Sequence, residues 1–258
     1  MHHPRTANSR LVLIATSGLA TLVLLGLVLV PREASAQASM PPAAADDGAM
    51  EIPHPFFTHE GLPEDFGTYS LRVAGLAARA DGKTEGDFAF HLEMSLTKRI
   101  GLHIRNDSVR NSPKTEAMFQ FAAITNKEGT SGFAPIIEFE VPTKAGASRV
   151  STLVGFTTKF TASRLAFNQV VHYDPREDAV DASAALVVRA TDRVFPVVEI
   201  LAAGARGAPT IVNMLVGLKL RVRPWVALGF AFELPLSNAK DFSSRGVFEP
   251  ELMWGQPR

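Results

Sequence analysis

The sequence contains no cysteine, which excludes disulfides, thiolate nucleophiles and cysteine-ligated metals together. An exported chain without disulfides must draw its stability from a core or from an extended hydrogen-bond network. Net charge is also missing: 26 basic side chains balance 26 acidic ones, so charge gives no reason to expect nucleic acid or an anionic membrane surface as a partner. There is no Walker loop, no G-x-G-x-x-G after a strand and no calcium-loop pattern, which excludes nucleotide chemistry and leaves no cofactor to expect. G-x-S-x-G is absent as well. His172 near Asp174 is the one place where a hydrolytic constellation invites attention, but no serine is singled out to join it, and the chain is not expected to be an enzyme. Finally, residues 67–254 show no convincing amphipathic helix.

What is present begins with a targeting signal. Arg5 and Arg10 precede the apolar run 11–30, which is followed by Pro31 and the small-residue stretch ASAQA. Basic, then apolar, then A-x-A is the order of a bacterial secretory signal, so residues 1–38 read as a signal peptide cleaved after Ala36 or Ala38. A run of about 20 residues also suffices to cross a bilayer, and an uncleaved anchor is the competing reading. Residues 39–66 read as a periplasmic linker that ends in IPHPFFTHEGLPEDF. His54, His59 and Glu60 are irregularly spaced and lack an evident third partner, so no metal is expected there. The expected role of the segment is to pack Phe56, Phe57 and Phe66 against the following domain or to plug its lower mouth.

From residue 67 the hydrophobic period is two. About twelve strands of roughly 8–13 residues are expected at 68–78, 86–97, 100–107, 116–125, 133–142, 150–162, 164–173, 179–191, 194–204, 210–223, 225–236 and 245–254. The second sets Phe88, Phe90, Leu92, Met94 and Leu96 against Asp87, Ala89, His91, Glu93 and Ser95. Connections alternate between tight turns and longer polar loops such as ARADGKTEG and NAKDFSSR, the plan of an outer-membrane barrel. The expected fold is therefore all-β: an antiparallel up-and-down transmembrane β-barrel over residues 67–258. A soluble periplasmic sandwich or lipocalin-like barrel has the same period with its faces reversed. The signal peptide, the strand lengths and the small residues Ala227, Gly229 and Ala231 on the polar face favour the membrane version, because a solvated face has no reason to select poor strand formers.

Several segments carry a family resemblance. FEVPTKAG (139–146), Asn168 in LAFNQVVHY, VVEILAAG (197–204) and GLKLRVRPWVALGFAFELPLS (217–237) resemble the outer-membrane family labelled as transporters of the phenol meta-cleavage (MetA) pathway. The resemblance spans roughly residues 67–254 and implies a barrel of about twelve strands that passes small, often aromatic, compounds. This chain has Pro142-Thr143-Lys144-Ala145-Gly146 where the family tends to have Pro-Thr-Gly. Its last strand closes at Met253-Trp254, before Gly-Gln-Pro-Arg, where barrel chains commonly end in an aromatic residue recognised by the outer-membrane assembly machinery.

The register turns one set of charges toward the lumen: Arg72, His91, Glu93, His103, Arg105, Glu138, Glu140, Lys159, Asp181, Arg189, Glu199, Lys219, Arg221 and Glu233. They read equally as a pore lining that tunes selectivity or as ion pairs that fill a narrow lumen. Lys219, Arg221 and Arg189 are expected to pair with Glu199, Glu233 or Asp181. The function expected is passive passage of small molecules across the outer membrane. Membrane lipid, a small-molecule solute and the assembly machinery are the expected partners. The alternatives are a closed structural or interaction barrel and a soluble binding protein.

Overall fold

The computed structural model describes residues 52–112, 114–143 and 149–255. The expected signal peptide, the linker up to residue 51, loop residues 144–148 and the tail 256–258 lie outside the described residues.

One antiparallel sheet contains β1 (Thr68–Ala80), β2 (Lys83–Thr97), β3 (Ile100–Asn106), β4 (Lys114–Phe121), β5 (Ile124–Thr125), β6 (Gly132–Pro142), β7 (Ser151–Ala162), β8 (Leu165–Asp174), β9 (Ala179–Val188), β10 (Val194–Ala205), β11 (Ile211–Arg223), β12 (Val226–Pro235) and β13 (Ser244–Gly255). Strand β1 pairs with β13, from Thr68 with Gly255 to Arg79 with Ser244, and β4 pairs with β6, so the sheet closes on itself. Closure leaves no sheet edge, which is the condition for a sheet to cross hydrocarbon. Twelve strands form the wall. The two-residue β5 is an excursion: the expected strand 116–125 breaks where Ala122 N–H turns to the Arg99 carbonyl at 2.8 Å and Ala123 N–H to Phe133 at 3.1 Å.

Two other expectations shift. ARADGKTEG is not a long loop, because Asp81 and Gly82 both take positive φ, 49° and 76°, and form a two-residue hairpin turn that lets β1 and β2 run on. Strand β9 ends at Val188, so Arg189 falls in the following turn, its N–H on the Arg164 carbonyl at 2.7 Å.

The faces alternate as expected for a wall that is apolar outside. Phe88, Phe230, Phe232 and Phe248 are exposed, while Ala89, Ala227 and Val247 between them in register are buried. Tyr69 and Trp254 stack at 5.9 Å, and the exposed Trp225 sits at the β11–β12 turn on the same rim, where an aromatic girdle belongs. We call this the terminal rim and the other the far rim.

The chain before β1 does not stay at the mouth. Residues 53–62 are all buried inside the barrel, and His54 meets Glu64, so the segment climbs inward and doubles back. Gly61 lies so close to the wall that a Cβ there would sit 2.0 Å from the Thr158 carbonyl oxygen.

Candidate functional site inside the barrel

Strand β10 supplies the principal anchor of this inner segment. The Glu199 carboxylate, fully buried, accepts N–H bonds from Phe56, Phe57 at 3.1 Å and Thr58 at 2.9 Å, and the Thr58 hydroxyl at 3.0 Å. Successive amides converging on one carboxylate satisfy a charge that would otherwise be costly to bury. Farther along, Asn168 on β8 accepts Gly61 N–H at 3.0 Å, and Lys159 on β7 pairs with Glu60.

Small residues of β11 and β12 make room for the segment. A Cβ on Gly217 or Gly229 would lie 2.6 Å from the Phe56 ring. Beside that ring the Lys219 ammonium reaches Glu249 at 2.9 Å and Glu251 at 2.8 Å and lies 5.0 Å from the Phe56 ring centroid. Arg72 on β1 donates to Glu93 and to the carbonyls of Pro55 and Phe56, and its Nη2 also lies beside His91 Nδ1. His54 stands among Glu64, Glu93 and Glu251: burial lowers its pKa, but the three carboxylates outweigh burial and hold it well above the ordinary histidine range.

On the opposite side of the segment the surroundings are imidazoles. His59 meets His91, His103 and His172 with ring centroids 4.8, 5.2 and 5.7 Å away. Burial first, then the charge of Arg105 and the neighbouring histidines, pushes its pKa well below the ordinary value, so His59 is neutral. Among the described residues neither of its ring nitrogens has a hydrogen-bond partner, nor do Glu93 Oε2, His103 Nδ1, His172 Nε2 and Glu138 Oε2.

Above the segment a cavity of about 180 Å³ is lined by Phe57, His59, Arg105, His172, Asp181 and Arg245 among others. Its lining carries both signs beside apolar Val170, Leu201 and Ile211.

Of the residues expected to face inward, Arg72, His91, Glu93, His103, Glu138, Glu199, Lys219, Arg221 and Glu233 are buried. Arg105, Glu140 and Lys159 are partly buried, Asp181 is exposed at the cavity, and Arg189 lies in a turn. For Lys219 and for two of the expected acids the partners differ. Lys219 takes Glu249 and Glu251, Glu233 takes Arg245 at 2.5 Å, and Glu199 serves backbone amides instead of a cation. Arg221 stacks its guanidinium 5.1 Å from the Phe195 ring centroid. Glu249 and Glu251 were missed, although their alternation with Phe248, Pro250 and Leu252 carried the signal. His54 and His59 gave no period to read, because they belong to no strand.

No protein-family model matches the chain, and no curated protein does. Among solved structures it is similar to the KdgM porin, with a TM-score of 0.55 and 8% identity over 71% of this chain and 98% of that one. It is also similar to an outer membrane channel from Pseudomonas putida F1 (TM-score 0.52, 11% identity, 75% and 98% coverage) and to the NanC porin (0.51, 6%, 73% and 99%). At such identities the likeness is one of fold. The chain has the fold of the porin-like outer-membrane barrels, a closed transmembrane barrel with twelve wall strands.

Proposed function

We propose that the protein is an outer-membrane channel for small molecules, described here in a closed state. The observation that carries this reading is that residues 53–62 fill the interior while belonging to no strand, held by side-chain contacts that can be released without breaking the wall. Passage would be diffusion through a lumen whose width and charge set selectivity, with no covalent step. The terminal rim would face the periplasm and the far rim, with its cavity, the outside. Delivery would use the signal peptide and the outer-membrane assembly machinery. The solute favoured is small and amphiphilic, aromatic rings included, because Phe57, Val170 and Leu201 share the cavity with Arg105, Asp181 and Arg245. That agrees with the resemblance to the phenol meta-cleavage transporters.

Planar-bilayer conductance tests this. The unaltered protein should open rarely, and Glu199→Ala, which removes the acceptor of three successive amides, should raise open probability at least several-fold with the barrel still folded. A folded variant as silent as the parent, together with no solute-driven swelling of proteoliposomes, would establish the closed structural barrel instead.

A further inference from the structure

We propose that the interior is also a binding site for a divalent first-row transition metal, held between the inner segment and the wall by His59, His103 and Glu93 with His91 as fourth ligand. Each of these four buried residues can offer one donor atom, and the four atoms lie within 4.8 Å of one another. Donors around tetrahedral Zn²⁺ are about 3.4 Å apart, from metal–nitrogen distances of about 2.0–2.1 Å, so side-chain rotations suffice to close the site.

The hydrogen bonds prepare the ligands. Gln120 Nε2 donates to the Glu60 carbonyl at 2.9 Å and to Thr157 Oγ1 at 2.7 Å, which fixes its Oε1 as the atom facing His103 Nε2 at 3.3 Å. Nε2 of His103 then carries a proton, and in the neutral imidazole that coordinates a metal the lone pair stands on Nδ1, which lies 3.6 Å from Glu93 Oε1 and has no hydrogen-bond partner among the described residues. Arg72 holds Glu93 by Oε1, while Oε2 accepts no hydrogen bond among the described residues and has the His54 imidazole 3.4 Å away, an ion-pair contact that a bound metal would share. His59 is 1% exposed with both nitrogens unpartnered, and burying such a group without a ligand forfeits two hydrogen bonds.

His91 is the weakest of the four. Its Nδ1 lies beside Arg72 Nη2, so coordination through Nε2 would place a proton against the guanidinium and require Arg72 to turn toward the Pro55 and Phe56 carbonyls it already contacts. His172 and Glu138 form a second group with His59 and back the site toward the cavity, which supplies the entry path. Three imidazole nitrogens and one carboxylate oxygen suit Zn²⁺ and its neighbours and exclude the oxygen-seeking Ca²⁺ and Mg²⁺. Because His59 belongs to the segment and the other ligands to β2 and β3, an ion here fastens one to the other. The site stands whether or not the lumen conducts.

The test uses chelator-stripped full-length protein in detergent micelles, titrated with Co²⁺ and then Zn²⁺. One ion per chain should bind, with the visible absorption of four-coordinate Co²⁺ bleached by Zn²⁺. This spectrum is read on the unaltered protein and needs no variant. His59→Ala and His103→Ala should each weaken Zn²⁺ binding more than about 100-fold, Gln120→Leu about 10–100-fold through the lost orienting bond, and His91→Ala the least of the ligand changes. Absence of the Co²⁺ bands at millimolar metal overturns the proposal. So does unchanged Zn²⁺ affinity in a His59→Ala/His103→Ala double variant whose circular dichroism is that of the folded barrel.

Discussion

The inner segment meets two very different walls. Against β10 to β13 it presents Phe56 to Gly217 and Gly229, and the charged groups have partners: Lys219 two carboxylates, Glu233 the Arg245 guanidinium, Glu199 amides of the segment itself, with Glu233 Oε1 accepting no hydrogen bond among the described residues. Against β2, β3 and β8 it presents His59 to three imidazoles, and among the described residues both nitrogens of His59 and one on each of the other three rings have no hydrogen-bond partner. The first wall is finished as a packed protein interior. The second brings imidazole and carboxylate donors to within 4.8 Å of one another, which a structural role alone does not require. The difference separates anchor from site within one lumen.

The comparison breaks most visibly at Lys219. Lys219→Met removes the cation between Glu249 and Glu251 and leaves two carboxylates buried together. Losing one partner of a buried pair costs about 3–5 kcal/mol, so unfolding by denaturant in micelles should shift by that amount, the largest effect of any change on this wall. A cost below about 1 kcal/mol would mean that the interior is wet enough to solvate the carboxylates, and the first wall would not be finished after all.

The wall itself was legible in the sequence, because closed barrels write their faces at period two and lipid rejects the wrong one. Phe88, Phe90 and Leu92 against Ala89, His91 and Glu93 needed no structure to sort. The partners inside were less legible. Which cation meets which carboxylate depends on strands far apart in sequence, as with Lys219 of β11 and Glu251 of β13 across β12. The segment was the least legible, since its conformation is dictated by the cavity it fills. Its one trace in the wall was the small-residue row: Gly229 and Ala231 looked like a crowded lumen, and what crowds it is Phe56.

That fit supplies the second test. Gly229→Ala puts a methyl 2.6 Å from the Phe56 ring, and overpacking of this kind costs about 1–3 kcal/mol. Combining it with Phe56→Leu should recover much of the loss, since the shorter side chain vacates the space. The two changes should therefore be strongly non-additive in a double-mutant cycle read by unfolding free energies. Additive losses would show that Gly229 is needed by its own strand and not by the ring.

The smallest effect is expected on the second wall, and it sharpens the contrast most. His59→Leu, in metal-free protein, removes a neutral imidazole whose nitrogens bond to nothing and substitutes an apolar group in the same buried space. No hydrogen bond is lost, and an unsatisfied polar group disappears, so the change should lie within about 1 kcal/mol of neutral and can be stabilising. Lys219 and His59 are both fully interior, yet their removal should differ by several-fold in cost because only one of them has its partners. Adding Zn²⁺ should then separate the two proteins. The parent gains stability with the logarithm of metal concentration above its dissociation constant, and His59→Leu gains it only at metal concentrations more than about 100-fold higher. If His59→Leu costs as much as Lys219→Met without metal, His59 is a structural residue and the contrast between the two walls fails.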